Sequence, residues 1–363
     1  MMIAQLLFVF LFSALLAAPT PAQRVTWPIA ATHWFSGTIT AKGGPLAIQM
    51  AVSLIDEQGD TARVVGEYRY VHKGLPIRLE GRYDAEQRTF QLDEFVEIGK
   101  GETERCTGHF VGTTKPGLLA ASGTWSAEAE AATLPFSLQL EAVARTASVH
   151  EPLAYQWQEE MVSLLGDHVL AREATERINK EGFERLAGGV VGSRKRVAEW
   201  LDASPAMRTR PQPTQFSGGH HYGVHFASER LVSLGGLMHE FTGGAHPNSA
   251  LTCLNLVLRG DSVHELRLAD LSAGKDAPTR LQRLVYDELR KQGASMVPRA
   301  TEVQTDFVAF ETFVLSPAGV LFGFSPYQVG SYAEGCYYVH LSWAQLSGVL
   351  ISPPELAVRA SAK

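Results

Sequence analysis

Between Trp34 and about Val143 apolar positions alternate with small or polar ones in short runs. The clearest is Leu46-Ala47-Ile48-Gln49-Met50-Ala51-Val52-Ser53-Leu54. Val64–Val71, Ile77–Tyr83, Phe90–Ile98, Thr107–Val111 and Phe136–Leu140 follow it at intervals of about 10 to 15 residues. Turn-forming stretches separate them: Glu57-Gln58-Gly59-Asp60, Lys73-Gly74 and Lys115-Pro116-Gly117. No helical period interrupts the region, so the pattern predicts an antiparallel β sandwich or a barrel-like domain over residues 34–143. Glycines recur beside aromatics, as in Gly66-Glu67-Tyr68 and Gly108-His109-Phe110. Glycine in a strand marks a bend or a ring lying over bare backbone, so these pairs predict a curved sheet with aromatics inside it; a carbohydrate or peptide platform is the functional rival.

The pattern changes near Ala144. His168–Leu186 carries Val169, Leu170, Ala174, Ile178 and Phe183 at helical spacing among many charges, which predicts an amphipathic helix. Residues 202–215 hold three prolines and read as a loop. Strands are expected at Tyr222–Ala227, Leu231–Leu234 and Leu251–Leu258, and a second helix at Thr279–Gln292. A hairpin should join Phe307–Leu315 to Leu321–Phe324 around Pro317-Ala318-Gly319. The whole is α+β, with a mixed α+β domain spanning 150–352. Glu159 and Glu160, adjacent in the region between the two domains, read as solvated surface.

Residues 6–16 form an uncharged apolar run of signal-peptide length, followed by small residues up to Ala22. We expect residues 1–22 to be a signal peptide cut at Ala22/Gln23, an N-terminal membrane anchor being the alternative. No later stretch approaches 18 apolar residues, so a periplasmic or secreted protein with no transmembrane segment after cleavage is expected. With 32 Lys plus Arg against 38 Asp plus Glu, the net charge of -6 argues against a nucleic-acid partner. In an oxidising compartment the three cysteines suggest one disulfide, Cys253 with Cys336, and a free Cys106; three buried thiols are the alternative.

The most individual segment is Thr242-Gly243-Gly244-Ala245-His246-Pro247-Asn248, preceded by His239 and Glu240. No GxSxG elbow or HExxH helix accompanies His246, so no catalytic residue is assigned. His220, His221, His225, His239 and His246 match no metal-ligand spacing, and adjacent histidines on a strand face opposite ways. No metal or cofactor is therefore expected.

Residues 220–350 resemble the C-terminal domain of the RsiV-type anti-sigma factors, which also accompanies PdaC-type peptidoglycan deacetylases. The resemblance is carried by Tyr222 with Leu231-Val232-Ser233-Leu234, by the Gly243-to-Asn248 segment, by Leu254-Asn255-Leu256 and Leu268-Ala269-Asp270-Leu271, and by the run from Gly319 through Pro326-Tyr327 and Tyr332 to Gly335. It implies an extracytoplasmic α+β module that binds rather than cuts and that, in the RsiV type, binds lysozyme. The expectation is a non-enzymatic cell-envelope binding protein whose ligand is a lysozyme-like protein or a cell-wall glycan. Gly243, Gly244, His246, Asn248, Tyr327 and Tyr332 are its candidate binding residues. The alternative is an envelope hydrolase using His246 and Asp270.

Overall fold

The computed structural model describes residues 24–26, 31–58, 61–71, 76–96, 104–128, 132–151, 155–203, 216–242, 246–297 and 306–356. The proposed signal peptide, the predicted turns at Gly59-Asp60 and Lys73-Gly74, and most of the 202–215 loop lie outside them.

After a short β1 (Arg24–Thr26), the first half is a closed antiparallel barrel of eight strands: β2 (Ala31–Ala41), β3 (Gly44–Gln58), β4 (Thr61–Tyr70), β5 (Ile77–Asp84), β6 (Thr89–Val96), β7 (Arg105–Thr114), β8 (Ala120–Ala127) and β9 (Thr133–Glu151). Closure comes from β9, which pairs with β8 on one side and β2 on the other. Eight strands leave an interior that side chains can fill. Tyr68, Phe110 and Phe136 fill it with edge-to-face contacts at 5.1 and 5.3 Å between ring centroids. Glycine permits the tight coiling: a Cβ on Gly81 would stand 1.9 Å from the Gln91 carbonyl oxygen, and one on Gly123 2.0 Å from that of Val111. The glycine–aromatic pairs are thus barrel-building features.

One carboxylate also lies inside the barrel. Glu94 is buried and accepts from Tyr68 Oη at 2.5 Å, Thr107 Oγ1 at 2.8 Å and Trp125 Nε1 at 3.0 Å. Three donors offset the desolvation that an unpaired charge would suffer there.

No linker separates the halves. Beyond the barrel β9 runs on, and β10 (Tyr155–Leu164) takes the place of β8 along its edge, from Ala142 paired with Leu164 to Glu151 paired with Tyr155. A parallel neighbour, β11 (Phe216–Ala227), needs a long crossover, and α1 (Val169–Ala203) supplies it. The helix extends well past the predicted Leu186. It buries Leu170, Ala171, Ala174, Ile178 and Leu186 against the sheet, whereas Val169 and Phe183, assigned to the apolar face from spacing, are exposed.

The sheet continues antiparallel through β12 (Leu231–Phe241), β13 (Asn248–Arg259) and β14 (Ser262–Glu265). On its face away from α1 lies a second, three-stranded sheet: β15 (Phe313–Ser316), β16 (Gly319–Phe324) and β17 (Tyr337–Ser342). The predicted hairpin turn falls where expected, but residues 308–310 form a 3-10 turn in place of a longer strand. Helix α2 (Ala277–Gln292) buries Leu281, Val285 and Leu289 at four-residue spacing in this C-terminal core and is capped by Gly293 at φ 87°. Buried hydrogen bonds lock the two sheets together: Leu315 N–H donates to Ser233 Oγ at 2.7 Å, and Asn255 Nδ2 to the Phe313 carbonyl at 2.9 Å. Among the described residues no helix is long and apolar enough to cross a membrane.

Candidate functional site

The β12–β13 hairpin closes on the pair Glu240 and Asn248, and His246 stands in its tip. Gly243 and Gly244 lie outside the described residues. The segment after β16 meets this tip, because Leu251 N–H of β13 donates to Ser325 Oγ at 2.9 Å. Two residues on, Tyr327 turns with φ 72°, its N–H donating to the Gly330 carbonyl at 2.9 Å. The left-handed region is costly for a tyrosine, by about 1–3 kcal/mol, and survives only where surrounding structure enforces it.

Tyr332 follows in a short 3-10 turn that opens with a capping box, in which Ser331 N–H and Oγ donate to Glu334 Oε1 at 2.7 and 2.6 Å. Ser295 N–H and Tyr337 Oη donate to Glu334 Oε2, at 3.0 and 2.9 Å, and the Ser295 hydroxyl reaches Oε1 at 2.6 Å. These donors, Ser295 and Ser331 foremost, hold the Glu334 carboxyl well below the usual carboxylate range.

Three rings predicted from two distant stretches of sequence therefore come together. His246 stacks on Tyr332 with centroids 3.7 Å apart and planes 17° off parallel, and Tyr327 lies 6.5 Å from His246 and 6.0 Å from Tyr332. Tyr327 is 55% exposed, so the group is an open aromatic surface. His246 Nδ1 donates to the Pro247 carbonyl at 2.9 Å, which leaves Nε2 to accept the long 3.3 Å bond from Tyr327 Oη. Among the described residues no carboxylate bonds His246. Asp270 is occupied elsewhere, its Oδ2 accepting the Arg267 N–H at 2.9 Å in the cap of a 3-10 turn.

Between the two sheets, near the Leu251 and Gly323 backbone, lies a cavity of about 230 Å³ lined by His221, His225, Cys253, Leu251, Gly323 and Tyr338. It is smaller than the roughly 300 Å³ of ordinary ligand pockets. His221 lies 3.4 Å from Glu160, which raises its pKa, and stacks on His239 at 5.7 Å.

The opposite face of the same sheet holds a polar cluster that the sequence reading missed. Glu159, expected on a solvated surface, is on β10 and fully buried. It accepts from Arg185 Nε at 3.0 Å, Arg185 Nη2 at 2.8 Å and Trp157 Nε1 at 3.0 Å. His220 approaches at 3.3 Å through Nδ1 and meets Thr252 Oγ1 at 2.9 Å through Nε2. The adjacent acids point to opposite faces because β10 is a strand, and each finds the histidine that β11 presents on its own side. The alternation of Gln156, Gln158 and Glu160 with Trp157 and Met161 was the available signal. His220 and His221 face apart, as adjacent strand residues must, and do not converge on one ion.

The expected Cys253–Cys336 bond is not formed. Cys106, Cys253 and Cys336 are free thiols. Cys253 is on β13, with Sγ 3.2 Å from the Glu311 carbonyl, whereas Cys336 precedes β17 in the other sheet.

Residues 269–344 match a family model described as "Protein of unknown function (DUF3298)", so the chain carries a DUF3298 domain there. Tyr327 and Tyr332 fall inside the match and His246 before it. Solved structures similar to this chain include a DUF3298 family member from Bacteroides fragilis NCTC 9343, at 18% identity and a TM-score of 0.43, covering 61% of this chain and 97% of its own. Another is a DUF3298 family protein from Pseudomonas aeruginosa PAO1, at 15% identity and a TM-score of 0.39, covering 60% and 94%. No curated protein matches the chain.

Proposed function

We propose that this chain, with its C-terminal DUF3298 domain, is an exported, non-enzymatic cell-envelope protein that binds a cell-wall glycan on the surface formed by His246, Tyr332 and Tyr327. The observation that carries the reading is the stack of His246 on Tyr332 with an exposed, backbone-strained Tyr327 beside it. Flat aromatic faces bury the apolar face of a pyranose ring, and their polar edges hydrogen-bond its hydroxyls. A non-glycine residue at positive φ argues that the tyrosine is held where it is for more than packing.

Three further points support it. The apolar run at residues 6–16 fits export, the resemblance to RsiV-type C-terminal domains fits an extracytoplasmic binding module, and the partners of His246 and Asp270 leave the hydrolase alternative without an acid–base pair. A general base needs an acid or a nucleophile within hydrogen-bond reach, and here the ring meets a carbonyl and a phenol.

The test is co-sedimentation of the mature chain with purified peptidoglycan sacculi. Wild-type protein should sediment, whereas Tyr332→Ala and Tyr327→Ala should stay in solution with unchanged melting temperatures. Failure of the wild type to sediment, with capture of a lysozyme-like protein from solution instead, would replace the glycan by the protein ligand that the resemblance implies.

A further inference from the structure

On the outer face of the barrel, far along the chain from the aromatic surface, Cys106, His109, Asp93 and Glu128 are gathered by one irregularity. In the β6–β7 ladder Glu94 pairs with Gly108 and Phe95 with Cys106, so Thr107 is an extra residue, a β-bulge. In a regular strand positions 106 and 109 would face opposite sides of the sheet. The bulge turns Thr107 inward, where its hydroxyl donates to Glu94, and leaves Cys106 on the outer side with His109. The same Thr107 carbonyl accepts the Glu128 N–H at 3.0 Å, which fixes Glu128, just past β8, against the pair.

The ligand atoms of Cys106, His109 and Glu128 all lie within 4.8 Å of one another. Asp93 stands across the ladder from His109 and accepts from its Nδ1 at 2.7 Å. That bond places the ring proton on Nδ1, so a neutral His109 presents a lone pair at Nε2. Nε2 directly contacts Glu128 Oε2, itself an acceptor. Two acceptors in contact need a positive charge between them, either a second ring proton or a metal cation. The Cys106 sulfur, 3.8 Å from the same oxygen, adds a third donor within reach of an ion held there. A tetrahedral zinc with a thiolate and a carboxylate ligand has an S···O edge of roughly 3.5 Å. The Asp–His pairing is also the support that metal-bound imidazoles ordinarily have.

We infer that Cys106, His109 and Glu128 form a three-ligand site for a borderline-soft divalent metal of the zinc class, with Asp93 as the positioning residue for His109. Sulfur, nitrogen and carboxylate donors together select zinc or cobalt over calcium or magnesium. Three protein ligands leave a fourth position open to water or an external donor. Glu128 is exposed, so its carboxylate has room to turn outward and admit the ion between itself and His109.

The experiment is a titration of the full mature chain with Co2+ under a phosphine reductant, followed by absorbance and then by displacement with Zn2+. One equivalent should produce a thiolate-to-cobalt charge-transfer band that Zn2+ removes. Cys106→Ser should abolish the band, whereas Cys253→Ser and Cys336→Ser should retain it. His109→Ala should lose binding, and Asp93→Asn should keep the band while weakening affinity by about 10–100-fold. As a readout independent of the variants' folding, Zn2+ should raise the melting temperature of the wild type reversibly with a chelator. A flat cobalt titration, meaning that His109 is only an imidazolium bridging two carboxylates, would overturn the assignment. So would a band that survives Cys106→Ser.

Discussion

Arg69 of the barrel donates to His225 Nδ1 at 3.2 Å through Nη1 and to the Val224 carbonyl at 3.1 Å through Nη2, joining the barrel wall to β11 beyond it. Arginine can only donate, so His225 must accept, and its ring is neutral with the proton on Nε2. Burial first, then the Arg69 charge, push the His225 pKa down to about 3.

That depression gives a pH dependence with a definite sign. In the unfolded chain this ring takes up a proton near its ordinary value of 6.5, but in the folded protein only near 3. Between those values the unfolded state holds the extra proton, so the ring's contribution to stability falls as pH drops from about 6.5 to about 3. His225→Asn keeps an acceptor for Arg69 and cannot titrate. Urea midpoints across about pH 4 to 7 should fall less steeply for the variant than for the wild type. Parallel profiles would show that His225 is not held neutral.

The buried Glu159 charge predicts a large stability effect. Glu159→Gln leaves the Arg185 guanidinium against a neutral amide and should cost about 3–5 kcal/mol in denaturant unfolding. Arg185→Gln should cost a similar amount, because a fully buried carboxylate loses both of its guanidinium bonds. The double variant should cost less than the sum of the two. Additive losses would mean that the pair does not act as a unit.

At Tyr327 stability and binding should separate. Tyr327→Gly relieves the positive φ, offset in part by the entropy of glycine, so it should leave stability unchanged or raise it by about 1 kcal/mol. The same change should abolish sedimentation with sacculi. A variant that loses stability instead would assign Tyr327 to packing.

Much of the barrel was legible because an exposed antiparallel wall alternates inside and outside with period two, and Tyr68, Phe110 and Phe136 kept that period. Its closure was not, since the β2–β9 pairing joins strands far apart in sequence and leaves no mark on either. The branch at β9 was hidden for a related reason. A strand buried on both faces in one half and paired to a new neighbour in the other shows no break, and Ala142, Ala144 and Ala147 carry little hydrophobic signal.

Of the candidate site, His246, Tyr327 and Tyr332 were named from composition and resemblance, but their stacking depends on the Leu251–Ser325 bond between two elements far apart in sequence. Glu159 was misread because two adjacent acids look the same on a surface helix and on a buried strand. Cys106 and His109 gave no signal, since their odd spacing places them on opposite faces until Thr107 bulges.

The most direct measurement is calorimetric titration of the chain lacking residues 1–22 with a soluble, chemically defined peptidoglycan glycan fragment, with product analysis of the same sample. The wild type should bind saturably, Tyr332→Ala should not bind, and the fragment should be recovered intact. Absence of heat with the wild type, unaltered affinity in Tyr332→Ala, or conversion of the fragment to new products would contradict the proposed function.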